Sequence, residues 1–178
     1  ARALPLIRAA LDANPINARI TVSGYEGSEL LVARLLIEAG AEVPYVGTAC
    51  PRTEWSEADR EWLQAHGAHV QYRASLEQDL AAMREWQPDL AIGTTPVVQA
   101  AKQASIPSLY FTNLISARPL MGAAGAGSLA MVVNAAMGSA ARFTQMRDFF
   151  EGVGQGFAAG VWEKKPVDHP EFQEAQLA

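Results

Sequence analysis

The chain has 178 residues, 49% hydrophobic and 19% charged, the balance of a folded domain with a full core and not of a disordered or fibrous chain. Its net charge of -5 leaves no basic face for a nucleic-acid backbone, and a single cysteine, Cys50, excludes an internal disulfide framework. No run reaches the roughly 20 apolar residues of a membrane helix without Gly or polar interruption, and Arg2 followed by Pro5 gives no signal-peptide pattern, so a cytoplasmic location is expected.

The chain begins at Ala1 without Met, inside a helical pattern, as a piece of a longer protein would. Leu6, Ile7, Ala10 and Leu11 fall at helical spacing and predict an amphipathic helix over Leu4 to Leu11, ended by Asn14-Pro15. Arg19 to Ser23 reads as the first strand. The turn Gly24-Tyr25-Glu26-Gly27-Ser28 leads into a helix from Glu29 to Ala39, apolar on most of its circumference and closed by Gly40. Strand two, Glu42 to Val46, runs into the loop Gly47-Thr48-Ala49-Cys50-Pro51. Ser56 with Asp59 predicts the cap of a charged surface helix that stops at Gly67. His69 to Tyr72 is strand three, and Ser75 with Gln78 is a capping-box pattern for a helix through Trp86 with Leu76, Leu80 and Met83 on one face.

From Asp89 to Ala141 the only further charges are Lys102 and Arg118, which predicts burial, while the Gly, Pro, Thr, Ser and Asn content predicts short elements joined by tight turns. Asp89 to Ile92 reads as a strand, Gly93-Thr94-Thr95-Pro96 as a turn opening a helix over Val97 to Ala104, and Ser108 to Phe111 as a strand leading to the polar pair Thr112-Asn113. Arg118-Pro119 and the glycines Gly122, Gly125 and Gly127 precede a long helix expected from about Ser128 to Phe150. The uncharged composition makes 89–92 and 108–111 adjacent central strands. Strands alternating with helices, and turns too short for crossovers without them, predict an α/β fold: a Rossmann-like parallel sheet flanked by helices, with right-handed connections. The expected division is a domain over 1–151 followed by a Gly-rich break and an extended polar tail over 152–178. Ligands of such sheets gather where strands end and helices begin, so Thr94, Thr112, Asn113 and Arg118 are the candidate pocket residues.

The remaining motifs are open to two readings each. Ser23 to Ser28 stands where a dinucleotide fold places its phosphate loop but lacks the full glycine fingerprint, so tight-turn chemistry is the favoured reading. Gly122, Gly125 and Gly127 offer backbone N–H groups to an anion, or allow close helix packing. Arg118, if buried, pairs with a substrate carboxylate or with an internal one. Cys50 is a thiol near the site or a small buried hydrophobe. His66, His69 and His169 have no ligand spacing, and no nucleophile or general acid is named by the sequence, so the catalytic residues are unknown at this stage and no metal site is expected in this chain.

Three segments carry a resemblance: GYEGSELLVARLL from Gly24, YVGTACPRTEWSEADREWL from Tyr45 and YFTNLISARPLMGAAGAGSL from Tyr110. With the order Pro88-Asp89-Leu90, loop, helix, Ile106-Pro107, strand, they resemble the C-terminal part of nitrogenase component 1-like oxidoreductases, and within that family the Y subunits of the chlorophyllide a reductases of bacteriochlorophyll synthesis. The resemblance implies a light-independent reduction of the C7–C8 double bond of chlorophyllide a. It also implies a heterotetramer with a Z subunit, electrons from an ATP-driven iron–sulfur X-subunit reductase, and a 4Fe-4S cluster in the complete complex. Where cofactor-holding nitrogenase subunits have a His, this chain has Thr112, which suits a cavity for a tetrapyrrole. With Cys50 alone the chain holds too few thiolates for that cluster. A non-catalytic tetrapyrrole- or metal-chelate-binding module and a sugar-nucleotide enzyme are the alternatives.

Overall fold

Strand burial sets the architecture. The computed structural model describes residues 3–116 and 122–145. In it β1 (Arg19–Gly24), β2 (Glu42–Thr48), β3 (His69–Tyr72), β4 (Leu90–Gly93) and β5 (Ser108–Tyr110) form one sheet in the order β3-β2-β1-β4-β5. Every described pairing is parallel. All of β4, and all of β1 after Arg19, is buried, as strands covered on both faces must be.

The cover comes from α1 (Leu4–Asp12), α2 (Glu29–Glu38), α3 (Glu57–Ala65), α4 (Leu76–Trp86), α5 (Thr95–Gln103), α6 (Phe111–Ser116) and α7 (Gly122–Met137). Leu11 of α1, Leu36 of α2, Leu63 of α3 and Leu129 of α7 share one core with Ile20, Val22 and Ile92 of the sheet. Met83 of α4 and Val97 and Ala101 of α5 form a smaller core with Ala91. Alternate residues of β4 thus feed opposite layers, Leu90 and Ile92 the larger core and Ala91 the smaller, the period of two expected of a pleated strand. Pro44 is tolerated in β2 because the register slips there: Arg19 pairs with Glu42 but Thr21 with Tyr45. One extra residue is absorbed where a missing N–H costs no ladder bond.

Several sequence expectations are corrected. β5 is not central among the described residues: it is a three-residue strand at the edge of their sheet, beside β4. It ends at Tyr110, and Thr112-Asn113 lie in the first turn of α6, whose Phe111 and Leu114 turn inward and are buried. The cap before α3 is Thr53 with Ser56, a reciprocal capping box that opens a 3-10 turn over Glu54–Ser56; the Ser56 side chain makes no cap to α3. The helix α7 starts at Gly122, not near Ser128, and ends at Met137; Gly138 and Ser139 make a turn before residues 140–145, which are helical again, and the expected end at Phe150 lies outside the described residues. Gly125 and Gly127 are inside α7, and Gly127 faces α1, where an added Cβ would meet Ala10 at 3.5 Å, an ordinary van der Waals contact.

Gly125, Gly127 and Ser128 do not interrupt α7, and the helical stretch Gly122–Gln145, with its turn at 138–139, passes for a membrane span by length and composition alone. Its Ala126, Leu129, Ala130 and Val133 are buried in this domain. Contacts divide the chain into two compact units, Ala1–Ala140 and Ala141–Ala178. Of the second only 141–145 are described, and they are helical. The expected boundary at residue 151 lies outside the described residues.

Candidate functional site

Strand order reverses between β1 and β4, which makes the crevice beyond their C-terminal ends the natural ligand position of this sheet. The loop after β1 is built around Glu29, the first residue of α2 and fully buried. Its carboxylate accepts hydrogen bonds from the backbone N–H of Glu26 at 2.7 Å and of Gly27 at 3.0 Å, and from the Thr48 hydroxyl at 2.9 Å. The amides that a nucleotide phosphate would need are therefore satisfied by an internal anion, which favours the tight-turn reading of Ser23 to Ser28. Gly24 is required here, since a Cβ would stand 2.5 Å from Glu29 Oε1.

Folding the loop over Glu29 leaves Tyr25 and Glu26 on the outside. Tyr25, Gly93, Thr94, Thr95, Tyr110, Thr112 and Asn113 line a cavity of about 330 Å³ at the reversal point. The Thr112 hydroxyl donates to Glu26 Oε1 at 3.1 Å, and Tyr25 Oη stands 3.4 Å from Thr112 Oγ1. Among the described residues the lining is mainly hydroxyl and amide groups without a basic side chain, so these residues offer hydrogen bonds to a neutral oxygen or nitrogen edge. Buried Ser23 Oγ, 2.8 Å from where a Gly93 Cβ would be, has no hydrogen-bond partner among the described residues.

Of the sequence candidates, the fold brings Thr94, Thr112 and Asn113 together in this cavity. Gly122 and Gly125 do not line it; they belong to the first turns of α7. Arg118 lies outside the described residues. Tyr25, Glu26 and Glu29 were missed, because an acidic residue opening a helix after a glycine turn has the ordinary pattern of a charge favouring the helix N-terminus.

Cys50 is half-buried, neither a core hydrophobe nor part of the reversal-point cavity. It lines a second cavity of about 450 Å³ with Leu31, Pro51, Trp55 and Tyr72 beyond β2 and β3. On the opposite layer the Tyr45 phenol donates to buried Asp79 at 2.8 Å. Burial pushes the Asp79 carboxyl above its usual range against the pull of the Tyr45 hydrogen bond. Burial, and then the Asp79 charge, push Tyr45 up as well.

Residues 1–137 match the family model of the nitrogenase component 1 type oxidoreductases. The chain belongs to that family. Nitrogenase component 1 type proteins work with metal clusters; among the described residues of this chain no group of three or more His, Cys, Asp or Glu is placed to hold a metal ion. Cys50 is its only cysteine, against about four thiolates for a four-iron cluster. Among relatives in the family, the chain is 68% identical over 172 residues to the chlorophyllide reductase 52.5 kDa chain of Cereibacter sphaeroides, covering 97% of this chain and 34% of that protein. It is 67% identical over 172 residues to the chain of the same name from Rhodobacter capsulatus, covering 97% and 35%. It thus spans about a third of the length of these relatives. A solved nitrogenase Cp1 structure at pH 6.5 superposes with a TM-score of 0.59 at 19% identity, over 76% of this chain and 31% of that one, which shows the shared fold.

Proposed function

We propose that this chain is part of the catalytic component of a chlorophyllide a reductase, working in the cytoplasm on the C7–C8 double bond of chlorophyllide a. The observation that carries the reading is the 68% identity to a chlorophyllide reductase chain, spread over 97% of this sequence. In the complete complex a Z subunit completes the substrate cavity, an ATP-driven X-subunit reductase supplies electrons, and a 4Fe-4S cluster is held by residues outside this chain.

The reversal-point cavity supports the reading in two ways. Its volume of about 330 Å³ is at the lower end of cavities that enclose a drug-sized ligand, so it takes one edge of a flat macrocycle while other parts of the complex cover the rest. Its hydroxyl and amide lining suits a neutral polar edge, with Thr94, Thr112 and Asn113 as the hydrogen-bonding groups and Arg118 as the partner of a pigment carboxylate. In this division of labour the chain binds and orients the pigment and keeps water from it.

The test is anaerobic turnover by the complete subunit with its Z and X partners, ATP and chlorophyllide a. The expected result is loss of the chlorin absorption band and growth of a red-shifted bacteriochlorin band. Thr94→Val with Asn113→Leu is expected to weaken pigment binding about tenfold or more, each substitution removing a hydrogen bond of about 1 kcal/mol. A complete complex that neither binds the pigment nor converts it overturns the reading.

A further inference from the structure

From the chain Tyr25–Thr112–Glu26 we infer that the reversal-point cavity carries its own proton-delivery path, with Glu26 as the source, Thr112 as the relay and Tyr25 as the catalytic residue that meets the pigment. The inference rests on the reductase reading above and adds to it a residue-level route for one proton. Three observations support it. Tyr25 and Thr112 line the cavity while Glu26 does not. Thr112 Oγ1 lies 3.1 Å from Glu26 Oε1 and 3.4 Å from Tyr25 Oη. Glu26 is exposed, so bulk water can recharge it.

The polarity of the chain follows from the hydroxyl inventory. Thr112 has one proton to donate. With Glu26 ionised, Thr112 donates to it and Tyr25 donates to Thr112, which turns a phenol lone pair toward the cavity. With Glu26 protonated the order reverses: Glu26 donates to Thr112, Thr112 to Tyr25, and the Tyr25 proton points at the ligand. The Tyr25–Thr112 separation is long for an O–H···O bond, as catalytic hydrogen bonds often are before substrate closes on them.

Saturating a carbon–carbon double bond consumes two electrons and two protons: the π bond breaks and two C–H bonds form. Electrons arrive singly from the external iron–sulfur protein reductant of the proposed reaction. As one C–H bond forms, the Tyr25 O–H bond breaks, Thr112 returns a proton to Tyr25, and Glu26 passes its proton to Thr112 and ends as a carboxylate. The second proton comes from water. Glu29 is a positioning residue in this scheme, because its bonds to the N–H groups of Glu26 and Gly27 fix the loop that presents Tyr25.

The experiment compares Glu26→Gln, Thr112→Val and Thr112→Ser in the complete subunit assembled with its partners. Pigment affinity is read by absorption titration, turnover by bacteriochlorin formation, and each rate is repeated in deuterated water. Glu26→Gln keeps an acceptor for Thr112 but has no acidic proton, so affinity is expected to stay within about twofold while turnover falls about 10²-fold or more, with a larger solvent isotope effect. Thr112→Val is expected to be as slow, and Thr112→Ser to restore most of the rate. Turnover within about twofold of wild type in Glu26→Gln, or loss of its pigment affinity in step with rate, overturns the relay. The reductase reading then still stands on wild-type conversion, and a wild-type complex that neither binds nor converts the pigment removes both.

Discussion

Asp79 is 8% exposed and carries the acceptor for Tyr45. Its carboxyl is pushed up by burial first, with the Glu29 charge adding and the Tyr45 hydrogen bond opposing. An acid whose folded pKa is raised binds its proton more tightly in the folded state. Its favourable contribution is complete below the ordinary Asp value and is lost as pH rises through the folded one. Asp79→Asn keeps an oxygen for Tyr45 and abolishes the titration, so the variant is expected to gain on wild type as pH rises from about 4 toward 7. Thermal melts across that range check it, and a gap that does not widen with pH would show that Asp79 does not titrate between the two states. The same pair explains Gly47: a Cβ there would collide with Asp79 Oδ1 and stand 2.8 Å from Tyr45 Oη. Gly47→Ala is expected to destabilise by about 1–3 kcal/mol in a denaturant titration, the usual cost of overpacking a filled space.

Among the elements, α4 shows both what a local pattern can and cannot settle. Its start was legible, because Ser75 and Gln78 exchange the two hydrogen bonds of a capping box and that exchange depends only on residues three apart. Ser75→Ala is expected to cost about 1 kcal/mol in a chemical denaturation experiment, without moving the cavity residues. Its buried face was not legible in full: Leu76, expected inward, is 42% exposed, whereas Asp79 joins Ala82 and Met83 inside. A phenol reaching across from β2 makes that carboxylate position affordable, and no periodicity reports it. The same limit applies to β5. Its uncharged sequence suggested a central strand, but Phe111 and Leu114 carry their burial in α6, so the composition of 108–111 reflects a helix turn as much as a strand.

At the scale of the whole molecule, the single thiol is too few for this chain to hold a four-iron cluster by cysteine alone. Anaerobic reconstitution of the isolated chain with iron and sulfide is expected to leave no stoichiometric 4Fe-4S cluster, read by iron per chain and the visible absorption of the cluster; one cluster per chain would contradict it. The alternation of β and α segments, the parallel sheet and the strand-end location of Thr94, Thr112 and Asn113 were determined by the sequence. Each follows from local periodicity, capping residues and the short reach of βα turns. Tertiary structure alone decided the strand order β3-β2-β1-β4-β5 and hence which loops meet. Tyr25 and Thr112 are 87 residues apart in sequence and Glu26 and Thr112 are 86 apart. Their meeting depends on β4 and β5 being laid on the far side of β1 from β2. That choice is made by which faces the helices cover, a long-range packing outcome that no window of neighbouring residues contains.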